Sequence, residues 1–374
     1  MKSYNHLFEQ LLDKNVFNQG FAEVMMAHDE PKYRERVNRY RRTKRIVRER
    51  IFNTIKLLSN NVKDVFPKHT PVIVRDGVKG KLRKIVVPTF DEQIIHHMVV
   101  NVMQEIFTKG MYRHSYGSIP SRGPYRAKYT IEKFIKKNDG HMKYFVQMDI
   151  RKFFDSIQHS ILKKKLSKKI HDDRFLNVLF AIIDVDDTSV GLPLGFYTSQ
   201  WLANWFLQDL DHFIKERLHI KYYVRYMDDM VIFGNNKKVL HKARHYIEMY
   251  LNKLGLELKK NWQLSLFHYI GKNGKERGAD LDYIGFRFFR NRTILRKALF
   301  MKISRKAKHI SKGHCNIYNM RQFISYYGYI KHTNTHIAYM DKICHNFSFK
   351  RARIYISKYD KLQKRLRREI LLCG

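Results

Sequence analysis

The sequence predicts an α+β fold, and three observations carry that prediction. Strand-forming runs are short and separated: PVIVR at Pro71–Arg75, KIVVP at Lys84–Pro88, YFVQMD at Tyr144–Asp149, and two runs within YYVRYMDDMVIF at Tyr222–Phe233. Helical texture, with Leu, Ile, Phe and Val recurring among charges, fills much of the chain between and before them. From about residue 291 the texture is helical and basic, over Arg296–Lys312 and Met320–His332. At 374 residues the chain can bury a large core in two or three subdomains. Its hydrophobic fraction of 44%, with 14% aromatics, separates it from disordered chains of similar charge.

Taken in order, residues 1–65 read as helices. PVIVR and KIVVP flank the turn DGVKGK and read as a hairpin. A helix follows over roughly Asp91 to Phe107, then a Gly-, Pro-, Ser- and Arg-rich loop at Tyr112–Ala127 that contains no GxxxxGK[ST] phosphate loop. Tyr129–Lys137 reads as a helix leading into the strand that ends at Asp149. Residues 158–190 read as helix and loop, with KKKLSKK at Lys163–Lys169 as a basic face. GLPLGFYTSQWLA, at Gly191–Ala203, is a Gly/Pro turn running into an apolar helix, and Trp201–Arg217 is amphipathic. Lys237–Leu254 reads as a further helix after the Tyr222–Phe233 hairpin.

That hairpin carries Asp228 and Asp229 at its tight turn. An Asp-Asp pair in an arbitrary turn is ordinarily solvated. Beside buried strands, adjacent carboxylates are expensive unless a cation neutralises them. A hard divalent ion with oxygen ligands, Mg²⁺, is the natural partner. Asp149 ends a strand upstream, and Asp155 follows shortly after. A carboxylate ending one strand and a pair on a hairpin turn can hold two metals, a clamp that activates a 3′-hydroxyl and stabilises leaving pyrophosphate.

The order QMDIRKFF, GxPxGxxxSQ and YMDD resembles the palm of a reverse transcriptase. The resemblance implies a right-hand polymerase: fingers and palm, with an antiparallel palm sheet plus helices, and a helical thumb. It partitions the chain into a basic helical N-terminal extension (1–65), fingers and palm (66–290), and a basic helical thumb and tail (291–374). It implies catalytic Asp149, Asp228 and Asp229, which with Ile150 form the metal set for two Mg²⁺ ions, Mn²⁺ being able to substitute. Asp155 falls outside the family's metal positions and is expected to be structural. Arg83 is the first choice to grip the incoming triphosphate, with Lys81 and Lys84 beside it; a guanidinium fork suits a triphosphate. Phe154 occupies the position that excludes a 2′-hydroxyl, although side-chain alternation alone leaves Phe153 open. Gly191 and Gly195 are expected to allow close backbone approach to the nascent base pair. Gly195, Ser199 and Gln200 would shape the template–dNTP pocket, and Tyr226 and Met227 would contact nucleic acid. Lys259 or Lys260 would protonate leaving pyrophosphate, and DYIGFRFF at Asp282–Phe289 would contact the primer end. Retroviral enzymes carry Gln before the second glycine, where this chain has Leu194. That departure points to bacterial branches: diversity-generating retroelements and related unknown-group or defence-associated enzymes. In the former an apolar residue there accompanies low fidelity.

The formal charge of +39, with pI near 10.1, calls for a polyanionic partner, nucleic acid above all. No long apolar span or signal-peptide pattern supports the membrane alternative. Tyr33–Arg50 is intensely basic. A solvated helix face is its ordinary reading and phosphate contact the favoured one, with Arg41, Arg42 and Arg45 as contacts. Arg122 is expected on the template backbone. Cys315, Cys344 and Cys373 show neither disulfide nor zinc spacing and are expected as reduced thiols. His96–His97 lies in an apolar helical stretch, where a structural role outweighs metal binding.

The expected function is RNA-directed DNA polymerisation, copying a dedicated noncoding RNA into cDNA from dNTPs in an antiphage or related retroelement system. The expected place is the cytoplasm, for a bacterial or phage-encoded protein, with no membrane. Two alternatives stand beside it. One is an error-prone enzyme of a diversity-generating retroelement, with a small basic accessory protein or a homo-oligomer as partner. The other is a non-catalytic RNA-binding scaffold. No HNH-type endonuclease, RNase H or integrase segment is recognised in the sequence, which weighs against a group II intron maturase.

Overall fold

The structure, a computed structural model, describes residues 4–28, 31–76, 81–137, 140–185 and 188–372; the side chains of Pro31, Asp76, Lys81 and residues 363–372 lie outside that set. The expected turn at 77–80 and Cys373 also lie outside the described residues. Helices α1 (Leu7–Leu11), α2 (Lys14–Ala27), α3 (Arg34–Arg42) and α4 (Lys44–Ser59) come first, followed by strands β1 (Val72–Asp76) and β2 (Lys81–Ile85). Then come α5 (Phe90–Thr108), α6 (Pro124–Lys137), β3 (Tyr144–Asp149), α7 (Phe153–Ser156), α8 (His159–Ser167), α9 (Asp173–Ile183), α10 (Tyr197–Phe206) and α11 (Gln208–His212). Strands β4 (Tyr222–Tyr226) and β5 (Asp229–Gly234), helix α12 (Lys237–Lys253) and strand β6 (Gln263–Leu266) complete the middle of the chain.

After two short strands, β7 (Tyr269–Ile270) and β8 (Glu276–Arg277), a small sheet forms from β9 (Leu281–Tyr283), β10 (Phe286–Phe288) and β11 (Thr293–Leu295). Helices α13 (Lys297–Ser311), α14 (Ile317–Ser325), α15 (Tyr327–Lys331), α16 (His336–Lys342) and α17 (Phe349–Leu372) close the chain. The fold is therefore α+β, with a helical C-terminal part.

An antiparallel sheet in the order β4-β5-β3-β6 divides two hydrophobic cores. Side chains alternate across a strand, so one set faces each way. Val146, Met148, Tyr223, Met230 and Ile232 enter the first core, with α5, α9, α10 and α12. Phe145, Tyr222, Val224, Val231 and Phe233 enter the second, with α6, the β9–β11 sheet and α13. Helix α5 starts where it does because Thr89 and Glu92 form a reciprocal cap: the Thr89 N–H donates to Glu92 Oε2 at 2.7 Å, and Glu92 N–H to Thr89 Oγ1 at 3.3 Å.

The segment 1–65, expected as an extension, shares the first core with the palm. Phe8, Leu11, Phe17, Val24, Ile51 and Ile55 are all buried there, and α2 packs along α5. Likewise the β9–β11 sheet runs across the expected boundary at 290 and 291. Strands β1 and β2 pair antiparallel, Val74 opposite Arg83, as an exposed ribbon. Among the described residues no helix is long and apolar enough to cross a membrane.

Candidate active site

Register gathers the acidic residues. In the β3–β5 ladder Asp149 stands opposite Asp229, and Tyr226 opposite Asp229 closes the β4–β5 hairpin over the two turn residues Met227 and Asp228. The Ile150 N–H donates to the Asp228 carbonyl at 3.3 Å, holding the turn against the end of β3. Three carboxylates thus share one end of the sheet.

Met227 takes a left-handed φ of 55°, a conformation unfavourable for a side chain of its size. The surroundings hold it there. Arg225, only 1% exposed, donates from Nη1 to the Met227 carbonyl and to Asn204 Oδ1, both at 3.1 Å. Its Nε and Nη2 form a fork onto Asp211 at 2.8 and 2.6 Å. The Tyr223 hydroxyl donates to Asp211 Oδ1 at 2.7 Å, and Asn204 Nδ2 to the Gly117 carbonyl at 2.7 Å. Gly117 must be glycine, since a Cβ there would lie 2.4 Å from Met227 Cγ. The Tyr283 hydroxyl donates to the Asp229 carbonyl at 2.8 Å. Burial alone would lower the Arg225 pKa, but the charge of Asp211 carries the net shift upward, so the guanidinium stays charged.

The carboxylates repel one another. Burial, then the charge of Asp149, pushes Asp228 up to about 6. Burial, then Asp149 and Asp228, pushes Asp229 well above the usual carboxylate range. Lys259 Nζ pairs with Asp149 Oδ2, and the Lys259 N–H donates to the Asp149 carbonyl at 2.8 Å. Asp149 Oδ1 and Asp229 Oδ1 are buried without a hydrogen-bond partner. Among the described residues no group of three or more His, Cys, Asp or Glu side chains is arranged to hold a metal ion as it stands. The donor set nevertheless fits a hard divalent cation: oxygen ligands, surplus negative charge and unpartnered carboxylate oxygens.

The other expected residues fall as follows. Ile150 is buried. Phe153 is 3% exposed in the core, whereas Phe154 is half-buried, and its carbonyl accepts from the Leu192 N–H at 2.8 Å. Gly195 has φ of +117°, and a Cβ there would meet the Val86 carbonyl at 2.0 Å; the Val86 N–H donates to the Leu194 carbonyl at 2.7 Å. The close approach at Gly195 is therefore made by the chain's own backbone just after β2. Gly195 and Gln200 line a cleft of about 270 Å³ with Ile85, Val87, Pro88 and Tyr197. Ser199, expected in that pocket, is instead 2% exposed on the inner face of α10. Met227, expected against nucleic acid, is 8% exposed and packed into the first core, while Tyr226 is half-buried.

Arg83 lies exposed on β2, whereas the Lys81 side chain lies outside the described residues. Arg122, expected on the template, donates from Nη1 to the Tyr112 and Ser115 carbonyls at 2.8 and 2.9 Å and braces its own loop. Arg41 and Arg42 are exposed on α3, and Arg45 on α4 pairs with Glu49 at 3.1 Å. Of the two lysines, Lys259 takes Asp149 and Lys260 is exposed. His96 is buried against Thr198 Oγ1 at 3.0 Å and His97 pairs with Glu23 at 2.7 Å, both structural contacts. Arg225, Asp211, Asn204 and Gly117 escape sequence reasoning, as does the part Tyr283 plays in bracing Asp229. The one available signal is an arginine in the middle of an apolar strand, which must find a buried partner.

Two outcomes follow from this geometry. Asp228 and Asp229 have folded-state pKa values above their unfolded values, so the folded chain holds the extra protons. Without metal, stability falls as pH rises from about 4 through about 6. Asp228→Asn therefore melts about 2–4 °C higher than wild type in chelator at neutral pH, and it loses most of the Mg²⁺-induced rise in Tm that wild type shows. Equal melting curves with and without Mg²⁺ for both proteins contradict the assignment. Asp211→Ala strands a buried guanidinium and lowers stability by about 3–5 kcal/mol, while Asp211→Leu combined with Arg225→Met recovers most of it. Chemical denaturation of the three variants decides this, and a double variant as unstable as the single one removes the charge argument.

Comparison with known proteins follows the same lines. Residues 66–274 match the family model described as reverse transcriptase (RNA-dependent DNA polymerase). The chain is 26% identical over 147 residues to protein YkfC of Escherichia coli K12, covering 37% of this chain and 39% of that protein. It is 29% identical over 142 residues to the group II intron-encoded protein LtrA of Lactococcus lactis subsp. cremoris, covering 36% and 23%. To the retron Ec73 reverse transcriptase of Escherichia coli it is 24% identical over 202 residues, covering 49% and 59%. The aligned parts span less than two thirds of each of these relatives. A Candida tropicalis telomerase structure aligns at 12% identity with a TM-score of 0.44, over 59% of this chain and 53% of that one, a likeness too loose to carry an argument. The family model spans more than half of the 374 residues and contains all three aspartates, so the chain belongs to the reverse transcriptase (RNA-dependent DNA polymerase) family.

Proposed function

We propose that this chain is an RNA-directed DNA polymerase that extends a primer 3′-end with deoxynucleotides, copying a dedicated noncoding RNA into cDNA within a bacterial retroelement or antiphage system. The observation that carries the reading is the register that brings Asp149, Asp228 and Asp229 to one sheet end, with buried carboxylate oxygens left unpartnered. Asp149 and Asp228, supported by Asp229 and the Ile150 backbone, would hold two Mg²⁺ ions. Bound there, such ions lower the barrier to attack by a 3′-hydroxyl and stabilise charge on leaving pyrophosphate.

The chain's own residues would do the rest. Arg83 and Lys81 would hold the triphosphate from the β1–β2 ribbon. Phe154, beneath the sugar, would exclude a 2′-hydroxyl by its bulk. Gly195 and Gln200 would bound the cleft that takes the template–dNTP pair, with Ser199 behind them in α10. Lys259, freed from Asp149, would stand near the leaving group. Tyr226 and Met227 would set the height of the turn beneath the primer end, and Arg41, Arg42, Arg45 and Arg122 would contribute positive potential along the RNA. The similarity to a retron reverse transcriptase and to an intron-encoded protein supports the retroelement setting; a bacterial cytoplasm is the place proposed for it.

Leu194 favours a second reading, an error-prone enzyme of a diversity-generating retroelement working with a small basic accessory protein. Its backbone carbonyl accepts from the Val86 N–H, its side chain is half-buried, and it directly precedes Gly195 of the cleft.

Primer extension on an RNA template tests the proposal. Asp228→Ala/Asp229→Ala loses at least about a thousandfold in rate and keeps its affinity for RNA. Full extension by the double variant, or none by wild type with Mg²⁺ and dNTPs, overturns it. Sequenced products rich in substitutions opposite adenine favour the second reading.

A further inference from the structure

We propose that the outer face of α6 is a stacking platform for the uncopied, single-stranded part of the RNA template; the assignment to template rests on the polymerase reading above. The inner face of the helix is fully used. Ala127, Ile131, Phe134 and Ile135 are buried in the second core. The one acid of the helix, Glu132, is neutralised by the buried Lys128 at 2.8 Å. That leaves Arg126, Lys133, Lys136 and Lys137 exposed as cations without an acid of the same helix among them.

Among these cations stand two tyrosines. Tyr129 is 67% exposed, and Tyr125, one turn earlier on the same stripe, is 38% exposed. A single exposed aromatic is unremarkable. Two on one stripe, flanked by four cations, form the combination that binds single strands: base faces stack on the rings while cations follow the phosphates. The basic helices α3 and α4 lack it. Tyr33, just before α3, and Tyr40 within it are half-buried, whereas Tyr125 and Tyr129 are exposed even though Tyr125 touches Tyr329 with its edge.

Position selects the strand. The loop preceding α6 carries Gly117 against Met227 of the catalytic turn. At the start of α6, Tyr125 packs edge-on against Tyr329 of α15 at 5.1 Å. The platform therefore begins beside the catalytic turn and runs outward from it. Once copied, template is paired with product and its bases are stacked within a duplex. Only the uncopied portion offers free base faces at that distance from the turn.

Fluorescence anisotropy with a labelled oligouridylate, in chelator and without dNTPs, tests the platform apart from catalysis. Tyr129→Ala weakens binding about tenfold, while Tyr129→Phe stays within about twofold. Arg126→Ala/Lys133→Ala reduces the salt slope by about 1.4. A blunt RNA–DNA duplex binds Tyr129→Ala as it binds wild type. Unchanged oligouridylate binding by Tyr129→Ala, or an equal loss for the duplex, overturns the platform. Tighter binding of oligothymidylate than oligouridylate overturns the assignment to template. Polymerase activity without a Tyr129 effect removes the platform alone, and a Tyr129 effect on a chain with no polymerase activity removes the template assignment alone.

Discussion

The buried ion pair between Arg225 and Asp211 is the interaction on which the site depends. A guanidinium within a palm strand is tolerable only because all its contacts are made: a two-pronged pair with Asp211, Asn204 Oδ1, and the Met227 carbonyl. The last of these reaches the turn that carries Asp228. A backbone conformation that disfavours methionine is thereby held against the chain's local preference. Helices α10 and α11 supply Asn204 and Asp211, so helices behind the sheet fix the height of the carboxylates in front of it. A hydrophobic replacement can restore stability but has no donor for the Met227 carbonyl.

Above that support the charges are arranged against themselves. Asp228 and Asp229 are pushed towards protonation by burial and by their neighbours, and one lysine compensates Asp149. A cation bound there would relieve this repulsion, as the proposed function requires. Lys259 is the internal counter-ion of Asp149 in the structure. The same lysine lies on the strand segment paired with β3, where the Arg151 N–H donates to the Glu257 carbonyl, so its reach to Asp149 is set by backbone pairing.

Much of this was legible in the sequence. The YMDD hairpin, the strand ending at Asp149, and the glycine turn before α10 are local signals, because strand propensity and turn chemistry act over a few residues. What the sequence hid is long-range. Ser199 and Met227 sit in functional motifs yet face the core, since helix phase and turn conformation decide their direction. Gly195 was expected to allow close approach to the nascent base pair, and nothing local in the sequence showed that the Val86 carbonyl, just after β2, stands where its Cβ would be. The N-terminal helices looked like an appendage because their charge conceals one buried stripe, Phe17, Val24, Ile51 and Ile55. Arg122 reads as a nucleic-acid contact in sequence and serves as a loop brace in space.

The central claim is that Asp149, Asp228 and Asp229 form a cation site compensated by Lys259 when no ion is bound. The most direct measurement is an experimental structure with Mg²⁺, a primer–template and a non-reactive nucleotide. The account predicts metal density on the Asp149 and Asp228 carboxylates, with Lys259 Nζ withdrawn from Asp149. Lys259 still paired to Asp149, with no ion on either aspartate although nucleotide is bound, would contradict it.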